Sequence, residues 1–179
     1  MKVGIFIPAL LALLTLISCN SEPSLQKYFV ENTENKDFIA LDFSPSILNL
    51  EKTKLSPEQN EALKSFDKMN ILAFKANDKN QAQFETEQAK VKAILKNAKY
   101  QELMKVGSGK DGASISYVGT DENIEEFIVF ANRKENGFAV VRVLGKNMNP
   151  NNIITLISVL KESKIDMEQL KPLQQLIKQ

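Results

Sequence analysis

Apolar positions change their spacing three times along the chain. Val3 to Ile17 is a continuous apolar run without a charge, interrupted only by Gly4, Pro8 and Thr15. Between Leu25 and Asn97 strand-length runs alternate with stripes at helical spacing. Leu25 to Val30 predicts a short helix carrying Leu25, Tyr28 and Phe29. Phe38 to Phe43 predicts a strand closed by Ser44-Pro45, with Leu48 and Leu50 in a brief turn or helix beyond it. Ser56-Pro57-Glu58-Gln59 reads as a helix start, with serine as N-cap, proline at the first helical position and glutamine placed to complete a capping box. Leu63 and Phe66 give that helix its buried side, and Met69 to Phe74 predicts the next strand. Gln81 to Asn97 places Phe84, Val91, Ile94 and Leu95 on one stripe and Glu85, Glu87, Lys90, Lys92 and Lys96 on the remainder, as an amphipathic helix requires.

Beyond Tyr100 the apolar runs shorten and turn residues separate them. Leu103 to Val106, Ile115 to Val118, Phe127 to Ala131 and Phe138 to Leu144 are strand candidates whose short connections favour an antiparallel meander. Asn149-Pro150 starts a closing helix with an apolar stripe of Ile153, Ile154, Ile157 and Leu160. Asp166 to Lys178 keeps helical spacing at Met167, Leu170, Leu173 and Ile177, but Pro172 opposes a continuous helix. Two βα units feeding a meander predict an α+β fold: a mixed, largely antiparallel sheet with helices packed mainly on one face. No repeat or long Gly/Ser/Pro linker divides residues 25–179, which are expected to form one domain.

The apolar run at the start is too short for a typical membrane span of about 20 residues and lacks a basic flank at its end, so with Lys2 before it the segment reads as a signal peptide over residues 1–18. It closes on Leu16-Ile17-Ser18-Cys19, which resembles the lipobox of bacterial lipoproteins. That resemblance implies a diacylglyceryl thioether on Cys19, cleavage before it and acylation of the new amine. A thiolate is the nucleophile that such a transfer needs. Residues 19–24 would then form a lipidated tether. Several acyl chains at about 0.8 kcal/mol per buried CH₂ make release from a bilayer negligible. Asn20, standing where an aspartate would favour the inner membrane, points to an outer-membrane location facing the periplasm.

Charge and composition then exclude more than they suggest. The 179 residues contain no histidine and one cysteine, which removes imidazole catalysis, His-ligated metals and any intrachain disulfide. Loss of Lys2 with the signal leaves 22 basic and 22 acidic residues, a balance that offers nucleic acid no electrostatic footing. Gly107 to Gly112 is not a phosphate loop, because Met104 stands where its first glycine should be and Asp111 follows Lys110 where Ser or Thr is needed. Asp78-Lys79-Asn80 and Asp111-Gly112 lack the alternating oxygens of a calcium loop. The acidic pairs Glu85/Glu87, Asp121/Glu122 and Glu125/Glu126 stand beside turns or on a lysine-rich helix face, where solvation holds carboxylates ionised. Tyr28, Tyr100 and Tyr117 are candidates for a ligand groove against the alternative of edge packing with the hydroxyl in water. A buried Arg142 on a central strand would require a carboxylate partner. No cofactor or metal is expected.

The order of lipobox, capped Ser56-Pro57 helix, strand at Met69 to Phe74, Tyr100-Gln101-Glu102-Leu103-Met104, and Val143-Leu144-Gly145-Lys146-Asn147-Met148-Asn149-Pro150 followed by Ile153 resembles a family of small Bacteroidota lipoproteins, a domain of unknown function. The resemblance implies the address and the order of elements; it carries no site residues. The expected function is a non-enzymatic envelope lipoprotein that binds a protein or small ligand at the membrane surface, possible roles in envelope stress or regulation included. The competing reading is a carboxylate-dependent hydrolase of glycans using Asp121, Glu122 or Glu125.

Overall fold

A computed structural model describes residues 22–47, 55–107 and 111–162. The lipobox with Cys19, Leu48 and Leu50, the tip of the Gly107 to Gly112 loop and the tail from Asp166 lie outside them, as do the side chains of Ile157 and Leu160. Among the described residues the chain forms helices α1 (Leu25–Asn32), α2 (Pro57–Ser65), α3 (Gln81–Leu95) and α4 (Pro150–Glu162), a 3₁₀ turn (Pro45–Ile47), and strands β1 (Phe38–Phe43), β2 (Phe66–Lys75), β3 (Gln101–Gly107), β4 (Asp111–Thr120), β5 (Asn123–Arg133) and β6 (Gly137–Met148). The strands make one sheet in the order β1-β2-β6-β5-β4-β3. Every pairing is antiparallel, so the α+β class holds and the parallel component of a mixed sheet is not observed.

The local signals act as their chemistry requires. The Ser56 hydroxyl accepts from the Gln59 backbone N–H at 3.2 Å while the Gln59 side chain accepts from the Ser56 N–H at 2.9 Å. Asn149 and Asn152 make the same reciprocal exchange at the start of α4, both at 2.9 Å. In α4, however, the buried stripe is Asn152, Ile153, Leu156 and Val159, and Ile154 stands exposed. Phe66, expected on α2, instead opens β2; the helix buries Ala62 and half-buries Leu63.

Alternate residues of a strand point to opposite sides of the sheet, and here both sides are covered. One core joins Leu25, Tyr28 and Phe29 of α1 and Phe84, Val91 and Ile94 of α3 to the sheet. There Phe38 meets Phe74 edge-on at 5.1 Å between centroids, and Phe74 stacks on Phe138 at 5.7 Å. The second core joins Ala62, Ile153 and Leu156 to Phe127, Ile124 and Tyr117. On β5, Ile128 and Phe130 enter the first core while Phe127 and Val129 face the second. The helices therefore lie two to a face. The expectation that they gather mainly on one face fails because short connections fix which strands are neighbours but not the side on which a connecting helix crosses.

β6 runs past Leu144, where its apolar pattern stops, to Met148. Its pairing with β5 slips between Ile124 and Glu126, and Asn147 takes a left-handed conformation at φ 52°. Gly145 lies so close to α2 that a Cβ there would sit 2.0 Å from the Ser65 carbonyl oxygen. Ser56→Ala removes one half of the capping box at α2 and should cost about 1 kcal/mol; a denaturation midpoint equal to that of the parent would show that the cap contributes nothing.

Candidate functional site

The candidate residues from the sequence are dispersed by the fold, and each acidic pair on a strand or helix is split. Glu126 is buried and accepts from Arg142 Nε at 2.5 Å, whereas its neighbour Glu125 is exposed. Glu87 is buried and accepts from the Tyr28 hydroxyl at 2.8 Å and from Lys90 at 2.7 Å, whereas Glu85 is exposed. Asp121 and Glu122 are exposed in the β4–β5 turn, and Asp121 accepts from the Tyr117 hydroxyl. Solvation of both members of each pair, expected from sequence, is thus wrong for Glu87 and Glu126. Both have acquired partners from distant segments. Neither side chain faces a second carboxylate across a cleft as glycosidic hydrolysis needs.

All three tyrosine hydroxyls are held by protein groups. Tyr100 accepts from the Leu25 N–H at 3.0 Å, and burial pushes its pKa up. Burial, then the hydrogen bond and charge of Glu87, push the Tyr28 phenol far above its ordinary value, so it remains a neutral donor. The bond to Asp121 raises Tyr117. Arg142 has the carboxylate that its burial demands, and Phe29 of α1 covers it, with the guanidinium carbon 5.2 Å from the ring centroid. These contacts pin α1 to the sheet. They complete one another.

One space, of about 400 Å³ and bordered by Lys27, Tyr28 and Lys90, lies between α1 and α3; another lies at the other end of the first face, between α3 and the β3–β4 hairpin. The cause is in β4. On this face β1, β2, β5 and β6 present Phe38, Leu72 and Phe74, Ile128 and Phe130, and Phe138 and Val140. β4, by its register with Asn132, Phe130 and Ile128, presents Gly112, Ser114 and Ser116 there. These side chains are too small to reach α3, and a groove of about 350 Å³ remains. Its floor includes Phe130 and Ser116; Lys92, Leu95 and Lys96 of α3 form one wall, and Glu102, Lys105 and Val106 of β3 the other. Ser116 is only 4% exposed as a residue, but its hydroxyl is not cut off from water; the one fully buried side-chain polar atom without a hydrogen bond among the described residues is Gln81 Nε2. Burial and the nearby charge of Lys105 lower the pKa of Lys92. β3 beyond the groove is exposed over its whole length, with Leu103, Met104 and Val106 about half accessible. A bulge between Glu102 and Met104 and the charges of Glu102 and Lys105 blunt this free edge.

None of these groove residues stood out in the sequence as a site. The available signal was the run Gly112-Ala113-Ser114-Ile115-Ser116, a strand pattern whose alternate positions are small. Among the described residues no three Cys, Asp or Glu side chains come together as metal ligands, and no helix is long and apolar enough to cross a membrane.

The architecture and groove lie within a segment that comparison assigns to a family: residues 28–156 match DUF4252, a domain of unknown function. The chain belongs to the DUF4252 family. The DUF4252 match runs from α1 into α4 and so contains both faces of the sheet, the Glu126–Arg142 pair and the groove. No curated protein and no solved structure matches the chain.

Removing one member of a buried ion pair strands the other charge, so Glu126→Gln should destabilise the DUF4252 domain by about 3–5 kcal/mol, while Glu126→Leu combined with Arg142→Met should cost far less than the two single changes added. Denaturant unfolding of the parent, Glu126→Gln, the two single apolar variants and their combination measures this. A loss below about 1 kcal/mol for Glu126→Gln would mean that the pair behaves as a solvated surface contact.

Proposed function

We propose that the chain is a non-enzymatic, lipid-anchored envelope lipoprotein of the Bacteroidota type whose domain binds a ligand in the groove beneath α3. The observation that carries the binding reading is the space itself: a groove of about 350 Å³ with Phe130 and Ser116 on its floor, open because β4 presents only Gly112, Ser114 and Ser116 to it. The hydrolase reading has less support, since Glu126 is committed to Arg142 and Asp121 to Tyr117 while Glu122 and Glu125 stand exposed.

Anchoring rests on Leu16-Ile17-Ser18-Cys19. Residues 19–24 reach at most about 20 Å when extended, and α1 follows at once, so the domain would lie close to its bilayer. Asn20 favours the outer membrane with the domain in the periplasm. The partner in this reading is the membrane, through Cys19, together with a ligand of the groove.

In the native host, Cys19→Ala should abolish incorporation of an alkyne-tagged fatty acid and shift the protein from the membrane to the soluble fraction without unfolding residues 25–162. Continued labelling of the variant would refute acylation at this residue.

A further inference from the structure

We propose that the groove beneath α3 takes a small organic anion, its anionic head held by Lys96 and Lys105 and a short apolar body resting on Phe130 and Leu95. This rests on the reading of the groove as the binding site and names the chemistry that the site selects.

Among the described residues that line this groove, three are lysines, Lys92 and Lys96 from the helix end and Lys105 from the edge strand, and one, Glu102, is acidic. Lys96 and Lys105 form no ion pair among the described residues. Lys90, earlier on the same helix, is by contrast paired with Glu87. The fold thus sets a carboxylate beside Lys90, whereas Lys92 donates to the neutral Gln88 side chain at 2.8 Å. Lys92 feels the charge of Lys105, and an anion between helix and strand would relieve that repulsion. Below the amines the chemistry changes. Phe130 is 4% exposed, Leu95 is half-buried, and between them the Ser116 hydroxyl can donate to an oxygen of the head.

A bare inorganic ion would leave the apolar floor wet, and a neutral alkyl chain would leave the Lys96 and Lys105 ammonium groups without a counter-charge. A carboxylate or phosphate monoester with a short apolar body satisfies both, and the space of about 350 Å³ is of the size that small-molecule sites have. The same chemistry is offered by a free organic acid and by an anionic lipid head group.

The test is lysine footprinting on the full-length processed protein in phosphatidylcholine nanodiscs. An acetylating reagent is applied with octanoate, inorganic phosphate, octanamide or no addition, and peptide mass spectrometry reads each lysine. Octanoate should slow acetylation of Lys96 and Lys105 by about tenfold relative to the exposed Lys36 and Lys64, and octanamide or phosphate should protect much less. Ser116→Leu, which occupies the floor, should abolish that protection. Lys105→Gln should raise the octanoate concentration that half-protects Lys96 by roughly tenfold and keeps the test decisive if the leucine variant does not fold. Protection in phosphatidylglycerol discs without octanoate, lost in the same variants, would support the site and assign a lipid as its source. Equal protection by phosphate or by octanamide, with sensitivity to Ser116→Leu retained, would overturn the organic-anion assignment and leave the groove a ligand site. No selective protection by any probe would overturn both.

Discussion

A strand inside a sheet covered on both sides must supply apolar bulk at every position, because alternate side chains face different helices. Five of the six strands contribute large side chains to the face under α1 and α3, or stand at the open edge beyond it. β4 does so only at Val118. Its Gly112 lies in the row of Phe138 and Phe74, its Ser114 beside Phe130 and in the row of Val140 and Leu72, and its Ser116 beside Ile128. The rigid span of α3 cannot sag to follow one strand, since Phe84, Val91 and Ile94 hold it at the height set by the aromatic cluster. The groove is the geometric remainder of that mismatch, and the lysines of α3 and β3 border it because both elements expose their polar positions at that end.

The aromatic cluster sets the height and a polar seam sets the position of the helix beside it. α1 is short, and helices of its length have little stability without tertiary contacts. Phe29 over Arg142, the Leu25 N–H on Tyr100 and the Tyr28 hydroxyl on Glu87 attach it to β6, to the start of β3 and to α3. Since α1 is the first described element after the proposed tether, these contacts would also transmit any pull from the membrane to the centre of the sheet. A neutral Tyr28 phenol, protected by burial and by the Glu87 carboxylate, keeps its bond over the whole physiological pH range.

Local chemistry was legible in the sequence, and long-range partnership mostly was not. Ser56 with Gln59 and Asn149 with Pro150 announce helix starts within four residues, and both starts are observed. Arg142 on a central strand demanded a carboxylate by the cost of burying its charge, but nothing near it named Glu126, sixteen positions away. Glu87 fell on the polar side of its helix by spacing and was drawn inward by a tyrosine far earlier in the chain. Ile154 falls on the apolar stripe by spacing, yet the side that α4 buries carries Ile153, Leu156 and Val159. The groove was hardest to foresee, since it is defined by what β4 lacks relative to neighbours that only the register of the sheet supplies.

If the space beneath α3 is open because β4 does not fill it, chemical denaturation of Ser116→Val will show it. Added methyl groups in a true void next to Phe130 should raise the unfolding free energy by about 1 kcal/mol, because the variant buries apolar surface and strands no hydrogen-bond partner. In a core already packed to density, the same change would overfill the site, and a loss of about 1–3 kcal/mol would contradict the account.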